Sequence, residues 1–136
     1  MTPERIIKWG YENPKKVFLF DGIGAIISAF LLGIILVKME RFFGIPKSAL
    51  YFLASLPCHF AIYDIFCYLK IDENIGTFLN VIAIANLLYC ALSIGLALYH
   101  FCTITPLGWA YLIIETIIVS TIATFELNLA NRLLKK

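Results

Sequence analysis

The chain has 136 residues, of which 61% are hydrophobic and 15% are charged, and its formal net charge is +2. Soluble domains usually carry about a quarter charged residues, and a small soluble fold cannot withdraw this much apolar surface from water. The composition therefore excludes an ordinary soluble domain and predicts an integral membrane protein. The small net charge leaves no large basic face, so nucleic acid is not an expected partner.

The N-terminal segment predicts a short helix ahead of the first apolar run. Residues 2–5 (TPER) form a typical helix start, because threonine caps helices and proline fits the first turn. Ile6, Ile7 and Trp9 then alternate with charged residues, a pattern typical of a helix that lies on a membrane surface. A frayed N-terminus is the alternative.

Four apolar runs are each long enough to cross a bilayer, since about 20 residues of helix span a hydrocarbon core of about 30 Å. They cover residues 17–37, 48–69, 75–101 and 106–130. The links between them are short, so sequence neighbours should pack antiparallel. The predicted fold is all-α: a single membrane domain over residues 1–136 that forms a four-helix bundle.

Capping residues mark the predicted start of each span. Asn13 and Thr105 each precede a proline, and their side chains can accept hydrogen bonds from the free amide groups of a first helical turn. Ser48 and Asp72 are predicted to cap the second and third spans. Residues 44–46 (GIP) predict a break between the first two spans.

Lysine and arginine are unevenly divided between the two sides of the predicted bundle: eight lie on the side of both termini and three on the other. The eight are Arg5, Lys8, Lys15, Lys16, Lys70, Arg132, Lys135 and Lys136; the three are Lys38, Arg41 and Lys47. Cytoplasmic loops carry the excess of these residues. The sequence therefore predicts that both termini lie in the cytoplasm, most simply at a bacterial inner membrane.

Polar side chains within the apolar runs are the main candidates for chemistry, because ionisable groups in lipid cost about 2.5–3.5 kcal/mol on insertion scales and usually face the bundle interior. One predicted layer lies about one turn inside the cytoplasmic boundary and consists of Asp21, Asp64, Asn80 and Glu126. It can be a proton or cation site. Alternatively, its acids reach the interface or pair with nearby lysine and arginine residues.

Small residues follow Asp21 along one face of the first predicted span. Ala25, Ala29 and Gly33 recur at four-residue intervals, which places them on one side of a helix. Small side chains let a second helix approach closely. This face is predicted to pack against another helix, either in the same bundle or in a second copy of the chain.

A second predicted polar layer lies near the middle of the membrane. It contains His59, Asn86, Tyr89 and Glu115. Glu115 is expected to face the bundle interior within reach of one of the other three, and the group is a possible proton or substrate site. The alternative is a neutral glutamate that joins helices by hydrogen bonds. Pro57, near His59, can kink the second span and open a pocket.

Three segments resemble parts of small, uncharacterised bacterial four-span membrane proteins: residues 20–25 (FDGIGA), 61–64 (AIYD) and 85–90 (ANLLYC). That resemblance implies the four-span fold and no activity. Small multidrug transporters are similar in size and number of spans and carry an essential glutamate in the first span. Here the first span has Asp21, and the glutamates lie on the fourth.

Three classes of function remain open from the sequence. The first choice is an accessory or structural membrane subunit, whose partners would be lipid, a second copy or another membrane protein. The second is a small proton-coupled transporter that uses Glu115 and the acidic cytoplasmic layer. The third is an enzyme acting on a lipid or quinone, which is the weakest because no nucleophile–base pair and no metal-binding spacing is present. No cofactor or metal is expected.

Overall fold

The computed structural model describes residues 2–135, so Met1 and Lys136, the latter one of the eight cationic residues counted above, lie outside the described part. Within this range the regular structure is helical, and four helices are long and apolar enough to cross a membrane. These are the first span, Pro14–Lys38, the second, Lys47–Lys70, the third, Ile75–Tyr99, and the fourth, Pro106–Leu134. The predicted all-α membrane bundle is confirmed.

Two shorter helices accompany the spans. The N-terminal helix, Pro3–Glu12, begins where the sequence predicts, with the Arg5 amide 3.4 Å from the Thr2 hydroxyl oxygen. It packs across the fourth span: a Cβ built on Gly10 would lie 2.9 Å from Leu129 Cδ2. The loop helix, Glu40–Phe43, follows the first span and ends at a glycine in the left-handed conformation.

The spans are arranged as two helical hairpins. The first and second spans pack closely along each other, and so do the third and fourth. The backbones of the two hairpins approach each other at far fewer points, and within residues 2–135 those of the first and fourth spans come close almost nowhere. The bundle is therefore two tight pairs of helices with a gap along one side.

Loops at the end opposite the termini tie the two hairpins together. The Thr105 amide donates to the Phe43 carbonyl oxygen at 3.1 Å, and the Thr105 hydroxyl donates to the Phe42 carbonyl oxygen at 2.6 Å. The Phe43 carbonyl lies directly against Gly108, where a Cβ would overlap it. A glycine is needed at this position because the two backbones meet there.

One predicted cap at a proline is confirmed and the other is wrong. Thr105 caps the fourth span by accepting from the Gly108 amide at 3.2 Å. Asn13 makes no side-chain cap on the first span. Its side-chain amide instead donates to the Trp9 carbonyl oxygen at 3.1 Å, and its backbone amide donates to the same oxygen at 2.9 Å, so Asn13 closes the C-terminal end of the N-terminal helix.

The other two predicted caps are also wrong. The second span begins at Lys47, so Ser48 already lies inside its first turn. The third span begins after Asn74, whose φ of 58° turns the chain into the helix without a side-chain cap. Asp72 instead forms an ion pair with Lys15 at 2.7 Å, since an exposed carboxylate gains more from a cation than from a distant amide.

The predicted small-residue face lies partly against the second span. The first span changes from α-helix to a π-helical turn over Leu31–Ile35, and a Cβ on Gly33 within that turn would lie 3.3 Å from Ala54 Cβ. Gly33 therefore packs on a neighbouring helix, as predicted. Ala29 is half-buried, and Ala25 lines a cavity instead of packing.

We predict that Gly33→Leu lowers the free energy of unfolding in detergent by about 1–3 kcal/mol, because a large side chain overpacks the contact with Ala54. Gly95→Leu is the matched control, since Gly95 faces open space. Thermal unfolding of both variants, followed by circular dichroism, measures the difference. Equal stability of the two variants would contradict the assigned contact.

Candidate functional site

Three acidic side chains from three different spans meet inside the bundle. Asp21, Asp64 and Glu126 form this acidic cluster, and the Asp21 carboxyl lies beside those of both Asp64 and Glu126. Asp64 and Glu126 are 0% exposed. The first and second spans approach closely here because Gly22 leaves room: a Cβ on it would lie 3.2 Å from Asp64 Cβ. Three members of the predicted cytoplasmic-side layer are thus brought together.

The acidic cluster has no cationic partner among residues 2–135. The ion pairs in this part of the chain are Lys15–Asp72 and Lys47–Glu40, so the alternative in which nearby lysines neutralise these acids is not what the structure shows. None of the oxygens of Asp64 and Glu126 makes a hydrogen bond, although the Asn86 side chain lies near enough to interact with Glu126.

Neighbouring carboxyl groups can form a hydrogen bond only when one of them carries a proton. An ionised carboxylate without a cation or a donor is costly in an apolar interior. The arrangement therefore suits a cluster that holds protons and not one that is fully ionised.

Asn86 belongs to the acidic cluster and not to a separate midplane layer. Its Nδ2 lies 3.3 Å from Asp21 Oδ2 and 3.4 Å from Oδ1. The two predicted layers are only about one helical turn apart, and the side chains of Asp21 and Asn86 together are long enough to span that distance. Asn80, which was predicted to join the cluster, is half-buried and has no hydrogen bond to it. Six residues turn a helix by about 600°, which puts Asn80 on a different face from Asn86.

Glu115 faces the bundle interior, as predicted, and Tyr89 is its partner. The Tyr89 hydroxyl donates to Glu115 Oε1 at 2.9 Å, and both side chains are buried. The second carboxyl oxygen, Oε2, has no donor within hydrogen-bonding distance. Ser28 of the first span lies near enough to interact with Glu115, so this pair also faces the gap between the hairpins.

His59 lies outside both polar groups. Its side chain is exposed, and Nδ1 lies 2.7 Å from the Ser55 carbonyl oxygen of its own helix. Of the three residues that the sequence offered as partners of Glu115, His59 is therefore not the one. Pro57 is buried on the inward face of the second span. Two residues turn a helix by about 200°, so His59 points the opposite way.

A cavity connects the acidic cluster to the Glu115–Tyr89 pair. It encloses about 80 Å³, well above the roughly 10–15 Å³ that one water requires. Its polar wall consists of Asp21, Ser28, Asn86 and Tyr89. Pro57 contributes to the lining, which fits the predicted association of this proline with a pocket.

A second cavity of about 160 Å³ lies on the other side of Asp21 and is also lined by Trp9, Phe125 and Glu126. The two cavities share Phe20, Asp21 and Ile122. Phe20 is 59% exposed and Ile122 is 38% exposed on the outside of the bundle. Together the cavities form a track along the gap between the first and fourth spans, with Asp21 at its centre.

The track contains groups that the sequence did not single out. Ser28, Phe20 and Phe60 line the first cavity and Trp9 the second. For the three residues of the spans, the only sequence signal was a polar or aromatic residue in an apolar run, which is common in membrane helices, and Trp9 was predicted only as part of the N-terminal surface helix. Among residues 2–135, no three His, Cys, Asp or Glu side chains are positioned to hold a metal ion, so the cluster lacks the geometry of a metal centre.

Comparisons with protein-family models, with curated proteins and with solved structures found no match to this chain. The resemblance to bacterial four-span proteins therefore stays a prediction.

We predict that Tyr89→Phe lowers the free energy of unfolding by about 1–3 kcal/mol, because it leaves a buried carboxyl oxygen without a donor. The loss should shrink in a Glu115→Leu background, where that oxygen is absent. Glu115→Gln should cost less than Tyr89→Phe, since the amide oxygen still accepts from the tyrosine. Unfolding in mixed SDS micelles gives these energies.

Tyr99→Phe is the control for this comparison of Tyr89→Phe in the two backgrounds, because the Tyr99 side chain is exposed at the end of the third span. An equal loss from Tyr89→Phe in both backgrounds would contradict the assigned bond.

Proposed function

We propose that this protein is a small proton-coupled carrier in which the acidic cluster binds and releases protons. The observation that supports this is a cavity on the cluster: Asp21 forms part of the wall of an open track, and no cation neutralises it among the described residues. An accessory subunit, which was the first choice from the sequence, would need these carboxyl groups only as sealed helix contacts. An open track beside them favours the carrier.

Protons on the cluster would control the contact between the two hairpins. Asp21 belongs to the first hairpin, whereas Asn86 and Glu126 belong to the second. A protonated carboxyl can donate to its neighbour and hold the hairpins together. Loss of protons places like charges side by side in an apolar medium, where they repel strongly. Proton release would therefore widen the gap, while the bonds from Thr105 to Phe42 and Phe43 keep the far ends joined.

The proposed location is a bacterial inner membrane with both termini in the cytoplasm. This follows from the excess of lysine and arginine on the side of the termini. In that orientation the acidic cluster lies nearer the cytoplasmic surface, and the loops that join the hairpins face the periplasm.

Reporter fusions test the orientation. A fusion after residue 136 should give a cytoplasmic signal, and one within the 38–47 loop should give a periplasmic signal. Each fusion can be made with both a cytoplasm-active and a periplasm-active reporter, so that every site yields one positive result. A periplasmic signal from the C-terminal fusion would overturn the proposed orientation.

Infrared spectroscopy of the purified protein tests proton exchange by the cluster. A carrier should show a carbonyl band from protonated carboxyl groups that fades as the external pH is raised from mildly acidic to mildly alkaline. Asp64→Asn and Glu126→Gln should each remove part of that band, because an amide cannot hold the exchangeable proton. Asp72→Asn in the exposed loop is the control. A band that does not respond to external pH would identify a sealed packing contact and reject the carrier.

A further inference from the structure

No positively charged side chain lines the acidic track, and no donor in its walls makes a hydrogen bond with the oxygens of Glu126. Asp21 and Glu126 are among the residues that line the second cavity, and none of the residues that line either cavity is Lys, Arg or His. Glu126 is fully buried, lines the second cavity, and has two oxygens without a donor. A buried acceptor left in this state is costly, so a ligand that supplies donors and a positive charge would complete the site.

The rest of the lining is apolar and aromatic. The Trp9 and Phe20 rings lie 5.6 Å apart beside the second cavity, with Phe125 also in its wall. Aromatic faces attract cations, most strongly where water is excluded. The volume of this open cavity, about 160 Å³, is close to that of an engineered cavity of roughly 150 Å³ that holds benzene. One group of the size of an aromatic ring therefore fits.

The track opens toward lipid and not toward an aqueous vestibule formed by loops. Phe20 and Ile122, which belong to both cavities, lie on the outer surface of the first and fourth spans. A ligand that partitions into the bilayer reaches this opening directly. A fully hydrophilic solute would have to cross the hydrocarbon region to do so.

We infer that the track binds a lipophilic primary or secondary amine as its protonated ammonium, with the nitrogen between Asp21 and Glu126 and the apolar group against Trp9, Phe20 and Phe125. The N–H groups matter as much as the charge, because the oxygens of Glu126 lack donors. A quaternary ammonium has no N–H and should bind more weakly. Only the release of a proton on binding rests on the proposed carrier function. An ammonium that enters a protonated cluster displaces one proton, so the net charge of the site stays the same.

Tryptophan fluorescence provides the binding assay. The chain has two tryptophans, and Trp109→Phe leaves Trp9, in the wall of the cavity, as the reporter. With the full-length protein in detergent, 2-phenylethylamine should change the Trp9 emission in a saturable way. Three matched probes each change one feature of this amine. The N,N,N-trimethyl derivative keeps the positive charge but has no N–H donor, 2-phenylethanol has no charge, and 3-phenylpropionate has a negative charge.

Asp21→Asn and Glu126→Gln should each weaken phenylethylamine binding roughly tenfold or more, the usual effect of losing one charge-assisted hydrogen bond. Asp72→Asn should leave binding unchanged. Gel filtration and thermal unfolding establish that each variant is folded. If Glu126→Gln does not fold, Asp21→Asn alone decides the test, because Asp21 is only half-buried and its substitution disturbs the fold less. Failure to saturate with the folded protein, or equal binding of the alcohol or the trimethyl derivative, would overturn the inference.

Proton release separates this inference from the proposed function. In weak buffer, binding should release about one proton per amine by charge balance. Saturable, amine-selective binding without proton release would support the ligand and reject the coupled exchange. Absence of amine binding, together with an infrared band that responds to pH, would reject the ligand and leave the proton-binding cluster standing.

Discussion

The structure depends on a contact between carboxyl groups in an apolar bundle. Asp21, Asp64 and Glu126 come from three spans and have no cation beside them in the described range. They can remain there only if they share protons or receive donors from another molecule. This requirement accounts for the glycine at residue 22, which lets the first span approach Asp64, and for Asn86, which brings an amide donor to Asp21. The two hairpins meet through these polar groups and through two buried apolar clusters that contain residues of both hairpins.

Much of the fold follows from the sequence because hydrocarbon thickness limits the length of a spanning helix. The cost of an ionisable group in lipid explains why Glu115 faces inward, where Tyr89 is its donor. Rotation about each helix axis was harder to predict, and it decides the site: His59 points outward because Pro57 occupies the inward face. The caps at Asn13 and Asp72 were wrong because their short polar side chains have partners in neighbouring elements, and the cap at Ser48 was wrong because the second span begins one residue earlier, at Lys47. The track could not be predicted, because it lies between spans that are far apart in the sequence and depends on how the two hairpins fit together.

The two ends of the bundle differ in the kind of bond that joins the hairpins. At the loop end, backbone carbonyls of Phe42 and Phe43 accept from Thr105, and the chain is close-packed at Gly108. At the end that carries the termini, side chains and the N-terminal helix make the connections, including the ring contact of Trp9 with Phe20. Side-chain contacts can rearrange without breaking secondary structure, whereas the backbone bonds hold a fixed geometry. Movement of one hairpin against the other would therefore be largest beside the acidic cluster.

The π-helical turn over Leu31–Ile35 has a consequence for how the length of this chain can vary. Such a turn accommodates one residue more than the α-helix around it, and it separates Asp21 from the loop that is bonded to the fourth span. Removal of one residue from the turn would restore a continuous α-helix and rotate everything on its N-terminal side by about 100° relative to that loop. Asp21 would then leave the cluster, although the span would stay long enough to cross the membrane. Homologues that keep the acidic cluster should therefore also keep the spacing between Asp21 and Gly44, whereas the loop between the second and third spans, which has no such register to maintain, is free to differ in length.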